Sequence, residues 1–490
     1  MYNTLSSRIE DFVPVEDGKV KMYVCGPTVY NDLHIGNFRG PIFFNFVRNW
    51  LEMSGYEVTY VFNYTDVDDK IIERACKEGV DSKEISERYI RAFVRDFDRL
   101  GLRDHDHRPK VTDFMDAIVN FIEDLVERKM AYVACGQVFY AIDRFPGYGK
   151  LSGKKLEDLV AGQRVEVNEN KKNPGDFVLW KPAEVDGPGW DSPWGRGRPG
   201  WHIECSTMIR EILGEETIDI HGGAVDLIFP HHENEIAQGE GRTGCPYCKL
   251  WMHHAYINMN DEKMSKSKGN IIKACDFMDR YHPEIFKYLV LSVHYRSLLN
   301  VGTDKVMDAM AALDRIYRSL ETAREKALEA GEGEGESEKK VHGDLARAME
   351  EADRKIPKAL NDDFNTGAMM ASLFEVVRVF NALYSGGKKI WGNFSRGASA
   401  KAYGDWMGKW GRPLALFGEE PRDLLERFQE ILLTEKGLDR KRVEELVRRR
   451  REARAVKDWS KADSLRDELA KMGIELTDDV RGREWKVALR

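Results

Sequence analysis

Val20-Lys21-Met22-Tyr23-Val24-Cys25 is a short β-rich run that Gly26-Pro27 breaks. The stretch from Leu33 to Leu51 then reads as a helix rich in apolar residues. Val58-Thr59-Tyr60-Val61-Phe62 predicts a second strand, followed by Asn63-Tyr64-Thr65-Asp66 and a charged helix. Strand, turn, helix and strand in this order open a doubly wound α/β domain with a Rossmann-like parallel sheet. Residues 71–100 and 113–130 keep a helical pattern. From 132 to 200 the composition turns to Gly, Pro and Trp with short strands such as Val133-Ala134 and Val138-Phe139-Tyr140, which predicts an insertion. Thr217-Ile218-Asp219-Ile220 resumes the α/β pattern.

Beyond residue 300 the periodicity is helical. Val306, Met310, Leu313, Tyr317 and Leu320 step by four and three along one face. The pattern returns through Leu373, Val377, Phe380 and Tyr384. Between them, Gly331 to Lys340 is low-complexity, cannot bury a core and predicts a mobile loop. A Gly-rich stretch near 386–404 precedes a last module.

Composition narrows the class. At 490 residues the chain is long enough for several domains. Apolar residues make up 42% and charged residues 32%, ordinary for a protein with a sizeable core. A net charge of −8 excludes a uniformly basic nucleic-acid coat. Locally the picture differs: residues 440–459 hold nine Lys or Arg against four Asp or Glu, either a solvated helix face or a nucleic-acid contact. No run approaches the ~20 apolar residues of a bilayer span. Glu10, Asp11, Glu16 and Asp17 occupy a start with no apolar core, unlike a signal peptide. Seven cysteines in so long a chain are not a disulfide framework. A soluble, cytoplasmic, multidomain protein is the expectation.

Four residues could form a metal centre. His231 and Glu235 are four apart in Phe-Pro-His-His-Glu-Asn-Glu, on one face of a helix that Pro230 is suited to begin. Cys25 ends the first strand, and Cys205 sits in Gly-Trp-His-Ile-Glu-Cys-Ser. Two thiolates, an imidazole and a carboxylate make a reasonable zinc set. Singly, a cysteine is more often a small buried hydrophobe and a His pair more often a hydrogen-bonding one. A metallohydrolase built on His231, His232, Glu233 and Glu235 fits poorly, because a His-Glu-x-x-His helix would need His at 235 or 236, where Glu and Ile stand. Cys245-Pro-Tyr-Cys248, beside His253 and His254, is a single C-x-x-C without a matched half, and reads as two free thiols in a turn.

Two further elements suit a nucleotide. His34-Ile-Gly-Asn37 falls at a strand-to-helix turn, where Gly36 permits close approach, the helix N-terminus favours phosphate, and His34 and Asn37 add donors. Lys263-Met-Ser-Lys-Ser-Lys-Gly-Asn270 is a cationic loop able to hold charge developing on a departing pyrophosphate.

Together these elements resemble the paired signatures of class I aminoacyl-tRNA synthetases, and the chain as a whole resembles the cysteinyl-tRNA synthetase family. Met22–Tyr30, Thr65–Ile72, Gly200–Ser206, Phe229–Glu235, Lys263–Ser267, His294–Ser297 and Asp362–Thr366 stand in family order, and Arg454 to Gly473 resembles its C-terminal module. The resemblance implies that zinc is held by Cys25, Cys205, His231 and Glu235 and recognises the thiolate of free L-cysteine. It implies a cysteine pocket at Cys25, Gly26, Thr65, Trp201 and His231. ATP is expected at His34, Gly36, Asn37, Asp226 and Lys266, with catalysis carried by His34, Asn37, Lys263 and Lys266. Mg2+ would arrive with ATP without a dedicated protein cage. The expected reaction joins cysteine to tRNA(Cys) through cysteinyl-adenylate, in a monomer, with Arg448, Arg449, Arg450 and Arg451 against the tRNA.

The implied organisation is a catalytic domain in two halves, 1–112 and 200–255, split by a connective insertion at 113–199. A stem-contact region with the lysine loop (256–304), a helical bundle (305–400) and an anticodon-binding module (405–490) follow. Three positions depart from the family pattern: Asn37 where His is usual, Tyr64 where Ile is usual, and Ala224 in place of a third glycine. The alternatives are a cysteine ligase of the mycothiol-pathway type, with an amino-sugar acceptor, and a non-catalytic relic that binds tRNA or zinc.

Overall fold

A computed structural model describes residues 1–154, 169–185, 187–214, 217–259, 262–263, 271–330, 340–384, 394–476 and 484–489. Lys266, and Gly331 to Lys339 of the low-complexity run, lie outside them. The chain divides into two compact units: 1–275 with 290–300 and 357–367, and 276–289 with 301–356 and 368–490.

In the first unit a ribbon of β1 (Tyr2–Asn3) and β2 (Arg8–Ile9) leads into β3 (Lys19–Val24). Helix α1 (Ile35–Met53) follows, then β4 (Glu57–Phe62), α2 (Asp69–Glu78), α3 (Ser82–Arg99) and α4 (Met115–Glu127). The helical pattern at 71–100 is carried by two helices, because Gly79 takes a left-handed φ of 66° and Asp81 caps the second by accepting from Lys83 N. Strands β5 (Ala131–Ala134), β6 (Gln137–Tyr140), β7 (Phe177–Pro182) and β8 (Gly197–Pro199) form an antiparallel sheet of their own within the expected insertion. Helix α5 (Trp201–Leu213), β9 (Ile218–Ala224), α6 (Glu233–Thr243) and β10 (Cys248–His254) return to the core. Strands β11 (Ile257–Met259) and β12 (Glu262–Lys263) make a hairpin beside β13 (Leu299–Val301).

The core sheet runs β10-β9-β3-β4, all parallel. Met22, Tyr23 and Val24 are buried, as are Tyr60, Val61 and Phe62 beside them in register. Burial on both faces is what a parallel sheet covered by crossover helices requires. Helix α1 lies almost wholly inside, because Phe38, Phe43, Phe44 and Phe46 leave it few exposed positions. Gly222 of β9 meets that helix closely: a Cβ there would lie 2.3 Å from Phe44 Cζ. At the carboxyl ends of β3, β9 and β10 stand Cys25, Ala224 and His254, where open α/β sheets place their ligands.

The second unit is mostly helical: α9 (Thr303–Ala330), α10 (Gly343–Asn361), α11 (Thr366–Tyr384), α12 (Arg396–Leu414), α13 (Pro421–Glu435), α14 (Arg440–Ala455) and α15 (Trp459–Lys471). Helices α7 (Ala274–Arg280) and α8 (Pro283–Leu291) lead into it. Val306, Met310, Leu313 and Tyr317 are buried on α9, as their spacing requires, and Leu320 is half-buried. Ser319 on α9 and Tyr403 on α12 share a hydrogen bond of 2.5 Å. Helix α11, 19 residues long and apolar enough by composition to cross a bilayer, buries Leu373, Val377 and Phe380. Its exposed side carries a Glu375–Arg378 ion pair. Strands β14 (Ile474–Leu476) and β15 (Trp485–Val487) close the chain as an antiparallel pair.

Candidate metal centre and nucleotide cleft

Four elements deliver one cluster. Cys25 follows β3, Cys205 lies in the second turn of α5, and His231 stands in the tight turn Ile228–His232 that runs into α6, where Glu235 follows. Cys25 Sγ is 3.8 Å from Cys205 Sγ, 3.5 Å from His231 Nε2 and 3.7 Å from Glu235 Oε1. Cys205 Sγ is 3.5 Å from His231 Nε2, and that nitrogen is 3.0 Å from Glu235 Oε1. With zinc–sulfur bonds of about 2.3 Å and zinc–nitrogen or –oxygen bonds of about 2.0–2.2 Å, the edges of a tetrahedron span about 3.3–3.8 Å. Of these five spacings all but His231–Glu235 fit that range, and the donor set is one zinc accepts. His232 is also close: Cys25, His231, His232 and Glu235 offer atoms within 4.8 Å of one another. Its other nitrogen is taken, with Nδ1 2.8 Å from His253 Nε2.

The surrounding contacts orient these donors. Glu235 Oε2, the oxygen turned away from the cluster, accepts from His221 Nε2 at 2.8 Å and from the Tyr247 hydroxyl at 3.3 Å. Burial works to raise the Glu235 carboxyl, but His221 and His231 outweigh it and hold it well below the usual carboxylate range. Burial likewise opposes charge on His231, yet Glu235 and Cys205 raise it to about 10. Cys205 falls to about 6 because the Cys25 hydrogen bond and His231 overcome its burial. Cys25, half-buried, is pushed well up by desolvation of its thiol and then by the facing Cys205 sulfur. Without a metal the cluster thus keeps a proton on His231 where the negative donors converge, and a divalent cation displaces it.

The rest of the Phe229–Glu235 motif is also committed. Glu233 is buried and accepts from Gly149 N at 2.9 Å and Ser152 N at 2.8 Å, while Tyr148 donates to Asn234 Oδ1 at 2.5 Å. These contacts tie the metal-side helix to the insertion.

The nucleotide elements line a cleft of about 480 Å³ that also reaches Cys25, Gly26 and Trp201. His34, Gly36, Asn37 and Asp226 all face it. Asn37 Oδ1 accepts the backbone N–H of His34 at 3.0 Å, which turns the carboxamide NH2 outward as a donor. Trp201 is 38% exposed, and its ring stacks on His231 at 4.2 Å, joining cleft to metal cluster. Thr65 is buried outside the cleft wall, where its hydroxyl donates to Glu204 Oε2 at 3.4 Å. Gly26 cannot carry a side chain, since a Cβ would fall 1.7 Å from Asn63 O. Lys263 ends the β11–β12 hairpin. Cys245 is exposed and Cys248 buried in β10, and neither joins the metal cluster.

Several residues that the sequence reading passed over matter here. Arg39, one turn beyond His34 and fully buried, donates to Ala255 O (2.8 Å), Tyr256 O (2.6 Å), His294 O (3.3 Å) and Ser297 O (2.6 Å). It braces the entry to the β11–β12 hairpin. Asp363 of the Asp362–Thr366 motif accepts from the Tyr295 hydroxyl and the Arg296 guanidinium, both at 2.8 Å. His254 lines the cleft, and Trp459, 58% exposed, opens α15. Arg448 pairs with Glu445 and Glu452, and Arg451 with Glu484, so the basic run is largely matched by acids of its own module. No ion pair of Arg449 or Arg450 is found among the described residues.

Comparison with known proteins agrees with this layout. Residues 11–311 match the family of class I (C) tRNA synthetase catalytic domains, 355–418 the DALR domain, and 440–485 the cysteinyl-tRNA ligase anticodon-binding domain. The cysteine–tRNA ligase of Bdellovibrio bacteriovorus is 48% identical over 487 residues, 99% of each chain. That of Geotalea daltonii is 44% identical over 494 residues, again 99% of each. Among solved structures, the methionyl-tRNA synthetase of Mycobacterium tuberculosis bound by methionyl-adenylate superimposes with a TM-score of 0.62 at 12% identity. That match covers 83% of this chain and 94% of the other. An arginyl-tRNA synthetase from Campylobacter jejuni gives 0.55 at 12% identity, over 84% and 95%. At such identity these two establish the fold alone.

Proposed function

The chain belongs to the cysteine–tRNA ligases, class I aminoacyl-tRNA synthetases, and from that premise we propose how its residues divide the work. The observation that carries the reading is the convergence of Cys25, Cys205, His231 and Glu235, with Cys25 also lining the cleft that holds His34 and Asn37. Those four would hold zinc, which in place favours the thiolate form of a substrate cysteine over the much less acidic alcohol of serine. Size alone would separate such close analogues by only ~10–200-fold.

Cys25 and Gly26, on the cleft wall, receive the amino acid, and Trp201 closes over it. Thr65, fixed through Glu204, supports the pocket from behind. His34 and the Asn37 amide donate to the phosphates at the start of α1, so the Asn37 departure keeps a donor and gives up only a charge. Asp226 holds the ribose, with Ala224 beside it. Lys263 and Lys266 neutralise the pyrophosphate. The cysteine carboxylate attacks the α-phosphorus, the bond to pyrophosphate breaks, and the adenylate then passes its acyl group to the terminal adenosine of tRNA(Cys). Such chemistry rests on positioning and charge stabilisation. Mg2+ enters with ATP.

The C-terminal module takes the tRNA through Arg448, Arg449, Arg450 and Arg451, with Trp459 offering an exposed ring for base stacking. The chain is proposed to act as a monomer, in the cytoplasm. The domain limits are those of the resemblance: 1–112, 113–199, 200–255, 256–304, 305–400 and 405–490.

Cysteine-dependent ATP–pyrophosphate exchange on the zinc-loaded chain, without tRNA, tests the reading. Exchange with cysteine, none with serine, and loss of exchange on metal removal are expected. Equal exchange with serine, or metal-independent exchange, overturns it.

A further inference from the structure

The Thr65–Ile72 motif carries three acids and a lysine, and the acids are spent within the fold. Asp66 accepts from Thr112 N at 3.0 Å and from the Thr112 hydroxyl at 2.6 Å. Asp68 caps α2 by accepting from Lys70 N at 2.8 Å. Asp69 binds Lys181 at 2.7 Å and also pairs with Arg198. Lys70 is different. It is exposed, no ion pair of its ammonium is found among the described residues, and it lines the nucleotide cleft. There the ammonium lies 5.6 Å from the centre of the Tyr30 ring, another residue of the cleft wall. Of the described residues that line the cleft, it is the one Lys or Arg. Asp32, also on that wall, is matched by Lys273 at 2.8 Å.

Its position along the sheet decides which anion it meets. The core order is β10-β9-β3-β4, so Asp226 after β9 and His254 at the end of β10 lie to one side of Cys25. Helix α2, which follows β4, lies to the other. The two outer strands are three spacings apart, about 14 Å. A ribose at Asp226 is therefore across the cysteine pocket from Lys70. In the transfer step the terminal hydroxyl of the tRNA bonds the acyl carbon of cysteinyl-adenylate. The bond from that carbon to the phosphate oxygen breaks, and AMP leaves with the electron pair and takes the hydroxyl proton. AMP fills the Asp226 side, so the terminal nucleotide has to enter from the other, and its own phosphate comes with it.

We infer that Lys70 binds the phosphate of the tRNA's terminal nucleotide as its hydroxyl meets the adenylate. A compact ammonium on a flexible stem suits an anion that arrives only for the second step. The cysteine carboxylate is a poorer partner, since a paired ammonium would blunt its attack on phosphorus. The inference rests on the ATP site proposed above, with the ribose at Asp226.

Lys70→Met and Lys70→Arg in the full, zinc-loaded chain test this. In Lys70→Met, single-turnover transfer from preformed cysteinyl-adenylate to subsaturating tRNA(Cys) should slow by about 10-fold or more, the loss of one charge-assisted contact. Pyrophosphate exchange by the same variant should keep its KM for ATP and for cysteine. Lys70→Arg, which retains the charge, should recover most of the transfer rate. A tRNA with an uncharged methylphosphonate at its last internucleotide linkage (and a deoxynucleotide before it, as in its phosphate control) should slow the unaltered protein by a similar factor. It should slow Lys70→Met hardly further. Normal transfer in Lys70→Met, or a methylphosphonate penalty undiminished in that variant, overturns the inference. So does a raised KM for ATP or cysteine in exchange, which would put the ammonium on a small substrate. Exchange that is insensitive to Asp226→Ala in the unaltered background overturns the ATP site itself, and the inference with it.

Discussion

His202 Nδ1 lies 3.0 Å from His231 Nδ1, so the imidazole that faces the metal cluster is held from behind by a second imidazole. Burial and the neighbouring His231 drive His202 down to about 3, which leaves it neutral and able to accept. His231 must then donate from Nδ1, which leaves Nε2, facing Cys25 and Cys205, as the nitrogen that would take a metal once its proton is displaced. Replacing His202 with Ala should lower metal affinity by about 10–100-fold in chelator competition. Unchanged affinity would show that His231 needs no such support.

Loss of a ligand should have a selective kinetic signature. Cys205→Ala should release the metal and raise KM for cysteine far more than KM for ATP, since His34 and Asn37, proposed to contact ATP, stand at the start of α1 and are not among the metal donors. Steady-state exchange kinetics check this, and equal increases would count against recognition through the metal.

Arg39 satisfies four carbonyls with one planar, charged group. Burial lowers it to about 10, still charged at neutral pH. Lysine cannot span the same fork. Arg39→Lys should therefore destabilise the protein by about 1–3 kcal/mol for carbonyls left unpaired and slow adenylate formation through the displaced hairpin, while cysteine affinity holds. Thermal unfolding and single-turnover kinetics would reveal both effects; normal values for each would show the brace to be dispensable.

On the tRNA side, Arg449 and Arg450 are the arginines of the run without an ion pair among the described residues. Replacing both with Gln should leave pyrophosphate exchange intact and lower tRNA charging, with a weaker salt dependence of tRNA binding. Trp459→Ala should lower tRNA affinity with little change in that salt dependence, because stacking is not a phosphate contact. Undiminished charging in both variants would move the tRNA contact elsewhere.

Buried neutral histidines give the stability a defined pH window. Burial lowers His254 to about 4 and His105 well below its ordinary value, and His105 Nδ1 accepts from Arg108. Each takes up its proton more readily when unfolded. Their contribution is complete above the unfolded pKa of about 6.5 and is lost as pH falls toward the folded value, at up to about 1.4 kcal/mol per pH unit for each group. Urea midpoints should stay level from pH 8 to 7 and fall from 6.5 to 5. His105→Phe, at the same metal loading, should show a shallower fall. Parallel profiles would remove His105 from this account.

The parallel core and its motifs are legible in the sequence because they depend on local pattern: apolar β3 and β4, and a helix whose buried side is nearly its whole circumference. Residue type also points to the candidate metal donors: each has commoner uses singly, but sulfur, imidazole and carboxylate together make a set that zinc accepts. What the sequence hides is the layer behind. Arg39 looks like an ordinary helix cation until its four carbonyl partners, more than 200 residues away, are in place. Glu233 stands between His231 and Glu235, which could hold a metal, yet it holds backbone amides of the insertion instead. The acidic partners of the arginine run are equally hidden: Glu484 reaches Arg451 only through the closing β14–β15 pair, a tertiary relation with no local signature.

The central claim is that the metal selects the substrate by binding its sulfur. Zinc-edge X-ray absorption of the loaded protein addresses it directly, with and without L-cysteine and with L-serine as control. Two sulfur neighbours at about 2.3 Å should be present in the free protein. A third should appear with cysteine, and no change should follow serine. An unchanged sulfur shell on saturation with cysteine would mean that the thiol is recognised elsewhere and that the cluster of Cys25, Cys205, His231 and Glu235 is only structural.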